Sequence, residues 1–113
     1  MDRRLQTVRE EHAFQRWADR HWTEADRLEF IAFIARNPLS GVLIPGTGGI
    51  RKIRWGVQGR GKRGGVRVIY YHFDSDWPIF LLTGYAKSQR DDISPEVRNA
   101  LREIVRQMKV QFR

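Results

Sequence analysis

Lys52 and Arg54 stand on either side of one residue in Ile50-Arg51-Lys52-Ile53-Arg54-Trp55. Side chains of an extended chain alternate between two faces, so the two cations share a face while Arg51, Ile53 and Trp55 take the other. In the next β-prone segment Arg67 is aligned by the same parity with Ile69 and Tyr71, and in the one after it Tyr85 is aligned with Lys87. A sheet face bearing Lys52, Arg54, Arg67, Tyr85 and Lys87 suits a phosphodiester whose 2′-hydroxyl attacks the adjacent phosphate. Such a reaction needs a base for the hydroxyl, cations for the charge on the pentacovalent phosphate, and an acid for the departing 5′-oxygen. Arginine stays protonated at every working pH, which fits Arg54 and Arg67 to stabilising charge and leaves Lys52 or Lys87 as the candidate base. The plainer alternative is a set of exposed strand residues with no chemistry.

Other chemistries find less support. There is no cysteine, hence no disulfide, thiolate metal site or cysteine nucleophile. His12, His21 and His72 have no metal-ligand spacing, and no carboxylate pair interrupts the basic segment to hold a divalent ion; no cofactor or metal is expected. Gly59-Arg60-Gly61-Lys62-Arg63-Gly64 matches a dinucleotide fingerprint, and Gly56 to Lys62 has the spacing of a phosphate-binding loop. Both motifs require a helix to follow, whereas Val66 to Phe73 reads as a strand. The stretch is expected to be a ten-residue hairpin loop whose Arg60, Lys62 and Arg63 settle on nucleic-acid phosphates. Arg51 and Arg90 complete the expected RNA contacts.

Charge points the same way. The formal net charge is +8, and between Glu29 and Asp74 no acidic residue occurs, although Arg36, Arg51, Lys52, Arg54, Arg60, Lys62, Arg63 and Arg67 all lie there. The other 13 Lys and Arg equal the 13 Asp and Glu in number, so one internal segment carries the entire excess and a polyanion is the natural partner. At 113 residues a single domain over residues 1–113 is expected. No apolar run approaches a membrane span and no apolar stretch follows Arg3-Arg4, so a soluble, cytoplasmic protein is expected.

Several elements must position the cations. Phe14, Trp17, Ala18, His21 and Trp22 recur at helical spacing. Thr23 then reads as a new N-cap with Glu24 and Asp26 behind it, leading a second helix that Asn37-Pro38 stops. Leu28 to Ile34 is apolar almost all round, which predicts that this helix is the more deeply buried of the two. Three strands follow, Ile50–Trp55, Val66–Phe73 and Ile79–Tyr85, as an antiparallel meander, and Thr7–Ala13 offers a weak extra edge strand. Ser94-Pro95-Glu96 caps a final helix with Val97, Leu101, Ile104, Val105 and Met108 on one face.

Three blocks in this order, Ile44-Pro45-Gly46-Thr47-Gly48-Gly49-Ile50-Arg51-Lys52-Ile53-Arg54-Trp55, Gly64-Gly65-Val66-Arg67-Val68-Ile69-Tyr70-Tyr71 and Leu82-Thr83-Gly84-Tyr85-Ala86-Lys87-Ser88-Gln89-Arg90, resemble the HigB-type branch of the RelE/ParE toxin superfamily. The resemblance runs from about Thr7 to the last helix. It implies an α+β RelE-like fold, with two N-terminal helices on one face of a small twisted antiparallel sheet, an open basic site on the other face, and a C-terminal helix. It further implies metal-independent messenger-RNA cleavage at the ribosomal A site and neutralisation by a helix-turn-helix antitoxin. Lys52 and Arg54 resemble the paired basic residues of the family's second strand, Arg67 the arginine that contacts the scissile phosphate, and Lys87 the basic residue that closes the site. Two departures stand out: an arginine occupies position 54 where the family's base is usually a lysine, and Ile44 and Pro45 occupy a loop where a basic residue is usual. The rival readings are a ParE-like gyrase poison and a non-catalytic nucleic-acid-binding module.

Overall fold

The computed structural model describes residues 5–56, 65–86 and 93–111. In chain order the elements are β1 (Val8–Glu10), α1 (His12–His21), α2 (Glu24–Arg36), β2 (Val42–Leu43), β3 (Ile50–Trp55), β4 (Val66–Tyr71), β5 (Ile79–Ala86) and α3 (Pro95–Gln111). The strands form one five-stranded sheet in the order β1-β5-β4-β3-β2. The meander of β3, β4 and β5 is antiparallel as the sequence predicts, but β1 joins β5 in parallel, which makes the sheet mixed. The parallel pairing is fixed at both ends of β1, where Ile79 N donates to Thr7 O at 2.8 Å and Glu11 N to Leu81 O at 3.0 Å. The weak edge strand is thus real, though shorter than Thr7–Ala13.

One sheet face packs on α1 and α2. Ile53, Val68, Tyr70, Ile79 and Leu81 meet Phe14, Ala18, Trp22, Phe30 and Ile34 there. The Thr23 side chain accepts from Asp26 N at 3.1 Å and Thr23 N donates to Asp26 Oδ2 at 3.2 Å, a capping box that starts α2 at the predicted place. Arg27 ties both helices to β1 by donating to Glu10 Oε1 at 3.0 Å and to Asp19 Oδ1 at 2.6 Å. α2 buries Phe30, Ile34 and Ala35 where α1 buries Phe14 and Ala18, but its nearly all-round apolar character is not matched by all-round burial, since Leu28 is 55% exposed. A helix laid on a sheet with solvent behind it has one stripe to bury, and apolar residues outside that stripe stay exposed.

The other face is not wholly open. α3, whose start is capped by Ser94 Oγ accepting from Val97 N at 3.2 Å, covers half of it. Leu101, Val105 and Met108 pack there with Ile50, Tyr71, Phe80 and Leu82. The face expected to be an open basic site is thus open only in part: burying the apolar stripe of α3 requires the apolar half of that sheet face, and only the cationic half is left free of it. No helix among the described residues is long and apolar enough to cross a membrane.

Candidate functional site

The uncovered half of the second face is built on two rows of directly paired residues. Arg54 of β3 is opposite Arg67 of β4, and Arg67 is opposite Tyr85 of β5. Lys52 is opposite Ile69, and Ile69 is opposite Thr83. A register irregularity between Ile69 and Tyr70 lets β5 hold Tyr85 in line with Arg67 while Phe80 and Leu82 face α3. The like-charged pair Arg54–Arg67 is unfavourable in a bare sheet, since directly opposed side chains lie roughly 5 Å apart at Cβ. Such a pair is suited to an anion placed between the two guanidinium groups.

Lys52, Ile53, Arg54 and Arg67 line an open depression of about 560 Å³, with Ser40 and Val42 at its rim. Arg54 is exposed and Lys52 and Arg67 are half-buried, so all three can reach a ligand from solvent. Tyr85 differs. It is only 7% exposed and belongs to the apolar cluster under α3, which makes it the end of the cationic row and part of its floor.

The structure does not bring Arg51 to this group. It lies on the side covered by α1 and α2, where its Nη1 donates to Gly41 O at 2.7 Å and to Leu39 O at 3.3 Å. Tyr70, fully buried beside it, accepts from Gly41 N at 2.8 Å and donates to Pro38 O at 2.8 Å. Burial raises the Tyr70 phenol above its ordinary range, which keeps the proton that the Pro38 bond requires. Gly41 has no room for a side chain, because a Cβ would fall 2.8 Å from the Tyr70 ring edge and hydroxyl. Together these contacts fix the connector from Pro38 to Gly41, and with it the rim residues Ser40 and Val42. His72, on the same side, is held below its ordinary range by burial and then by the Arg51 charge, with Asp74 opposing.

Lys87 and Arg90, and the loop cations Arg60, Lys62 and Arg63, lie outside the described residues. His12 and His21 sit exposed at the two ends of α1, the helix that packs on the sheet face opposite the cations. What sequence reasoning missed is the rim. Leu39-Ser40-Gly41-Val42-Leu43 yields a strand of two residues, too short for alternation to reveal, and its only signal is the pair Val42-Leu43 after a Pro38 turn.

Fold and site define a small α+β protein with, among the described residues, three helices, a five-stranded mixed sheet and a cationic half-face left uncovered by the last helix. Residues 7–111 match the family described as RelE toxin of the RelE/RelB toxin-antitoxin system. The chain belongs to the RelE toxin family, and its fold is compatible with that of RelE. It is therefore a toxin of a toxin–antitoxin system, with an antitoxin as partner.

Proposed function

We propose that this toxin is a HigB-type, ribosome-dependent endoribonuclease that cleaves messenger RNA without a metal ion. The observation that carries the reading is the paired row Arg54, Arg67 and Tyr85, of which Arg54 and Arg67 line one open depression with Lys52. In the step, the 2′-oxygen bonds to the neighbouring phosphorus, a base takes the hydroxyl proton, and the bond from phosphorus to the 5′-oxygen breaks as that oxygen gains a proton. The products are a 2′,3′-cyclic phosphate and a 5′-hydroxyl. Arg54 and Arg67 stabilise the charge that builds on phosphorus, and Lys52 or Lys87 takes the hydroxyl proton. The absence of carboxylates from residues 30–73 supports a reaction in which protein cations do the work of a metal.

The test is Arg67→Ala in a ribosome-bound cleavage assay with the product ends identified. Cleavage should fall roughly a hundred- to a thousand-fold while ribosome binding stays near normal, because a cation aimed at transition-state charge contributes to rate rather than affinity. Ends bearing 3′-hydroxyl and 5′-phosphate would overturn the 2′-hydroxyl mechanism. Growth arrest with intact transcripts would shift the reading to a gyrase poison.

A further inference from the structure

The cationic half-face runs out, on the β2 side, at a short stretch of chain that is held with unusual care. Val42 is opposite Lys52, Lys52 opposite Ile69 and Ile69 opposite Thr83, so Val42 ends that row on the same face as the cations. Ser40, two residues earlier, lines the depression together with Arg54. Leu43, opposite Arg51, takes the other face by alternation. Val42 is 70% exposed, the most of any large apolar side chain among the described residues. A single exposed valine is ordinary on a protein surface, but this one follows a pinned connector. The buried Tyr70 hydroxyl accepts from Gly41 N and donates to Pro38 O, while Arg51 donates to Gly41 O and Leu39 O. Ser40 adds two bonds to Asn37 O, from its hydroxyl at 2.7 Å and its N–H at 3.2 Å. The edge of the depression is therefore preorganised, and a ligand that touches it orders little of this chain.

We propose that Val42 is a specificity-determining residue, a wall against which the base of one messenger-RNA nucleotide flanking the cleaved bond packs, and that Tyr70 is the positioning residue that holds this wall. Both roles rest on the endoribonuclease reading above. A nucleotide presents two chemistries side by side, an anionic phosphate and a base with broad apolar faces. The half-face presents their complements side by side. Arg54 and Arg67 suit the phosphate, and Val42 stands one strand spacing from β3 and two from β4, about 5 and 10 Å, within the span of a single nucleotide. No charged residue occurs between Arg36 and Arg51, so the wall does not compete with the cations for the phosphate. Phosphate contacts fix position without reading sequence, which leaves selection between substrates to groups that touch the bases. The valine side chain has neither donor nor acceptor and cannot read a base edge. It discriminates by the area of the face laid against it, which separates purines from pyrimidines.

The experiment maps cleavage sites and rates in ribosome-bound reactions on transcripts that carry every base on both sides of the bond, with the full chain and the variants Val42→Ala, Val42→Asn, Tyr70→Phe and Leu43→Ala. Val42→Ala should reduce the purine-to-pyrimidine ratio at one flanking position by up to roughly tenfold, the low end for lost methyl contacts, with ribosome affinity unchanged. Val42→Asn should bring in a preference for particular base edges at that same position. Tyr70→Phe, once thermal unfolding shows it folded, should relax the same position, and Val42→Ala should add little in that background. Leu43→Ala, on the other face, should cut as the parent does. An unchanged cleavage profile in both Val42 variants of a parent that cleaves would overturn the wall and leave the endoribonuclease reading standing. So would a Val42→Ala variant that loses ribosome affinity but keeps the profile, since the base packed there would then belong to ribosomal RNA. A parental profile in Tyr70→Phe beside a shifted one in Val42→Ala would overturn the positioning role of Tyr70. A parent that leaves transcripts intact would overturn the endoribonuclease reading itself, and the wall with it.

Discussion

Opposed arginines are the residue-scale anomaly of this fold. Arg54 and Arg67 are drawn together by strand register, and a sheet selected for stability alone would place an opposite charge or a β-branched side chain at one of them. Parity made the shared face of Lys52 and Arg54 legible in the sequence, because a period of two persists through the six residues of β3. The register that sets Arg54 against Arg67 was not legible: a one-residue slip flips every side chain, and loop length alone does not exclude it. Arg51 shows the limit of reading charge as function, since its guanidinium is spent on the carbonyls of Gly41 and Leu39. The division of labour among the lysines is tested by Lys52→Arg and Lys87→Arg, in which the charge survives but proton acceptance does not. Single-turnover cleavage should fall by about a hundredfold or more at the residue that serves as base and stay near normal at the other. Near-normal rates in both would mean that neither lysine takes the proton.

At the scale of elements, α1 and α3 make opposite demands on the sheet. α1 sits so close to β5 that a Cβ added at Gly84 would lie 2.6–2.7 Å from indole atoms of Trp17, closer than side chains can pack. Trp17 is itself wedged against Phe14, His21 and Trp22, with ring centroids 4.8–6.0 Å away, so it has little freedom to move aside. Gly84→Ala should therefore cost about 1–3 kcal/mol in denaturant unfolding, as overpacking does. In a Trp17→Leu background the cost should shrink, which a double-mutant cycle would show as coupling. Equal stability of Gly84→Ala and the parent would mean that α1 is not seated by this contact. The sequence foretold both helices, the Thr23 cap and the Ser94 cap, because caps and apolar spacing are local signals. It did not foretell which face α3 would cover. An apolar stripe on Val97, Leu101, Val105 and Met108 states that the helix is buried, whereas its placement over Ile50, Tyr71 and Phe80 depends on partners far away in the chain. β2 escaped for the converse reason, being only two residues long.

For the molecule as a whole, the distribution of charge matters more than its sum. The net charge of +8 arises between Glu29 and Asp74, and the fold sends that segment through β2, β3 and the start of β4, the edge half of the sheet. On the opposite edge, β1 carries Glu10 and leads to Glu11, which pair with Arg27 and Arg9. The protein therefore has a cationic side and a mixed side. A polyanion approaching at moderate salt is oriented toward β3 before the two surfaces meet. On the proposed reading the half-face of Lys52, Arg54 and Arg67 supplies charge at the reacting phosphate, and the sequence between β3 and β4 holds three further cations, Arg60, Lys62 and Arg63. If those three neutralise ribosomal or messenger RNA phosphates, replacing them together with serine should weaken ribosome association and flatten its dependence on salt. The slope of log affinity against log salt should fall by roughly one unit for each phosphate left unneutralised, because its counterion is then no longer released on binding. Thermal stability should stay near that of the parent, since no residue of the described core is altered. Arg67→Ala, by contrast, should leave the slope almost unchanged while the cleavage rate falls, so measuring both quantities on both variants separates docking charge from transition-state charge. A slope unaffected by the triple replacement would mean that Arg60, Lys62 and Arg63 neutralise no phosphate, and affinity would then rest on cations elsewhere in the chain.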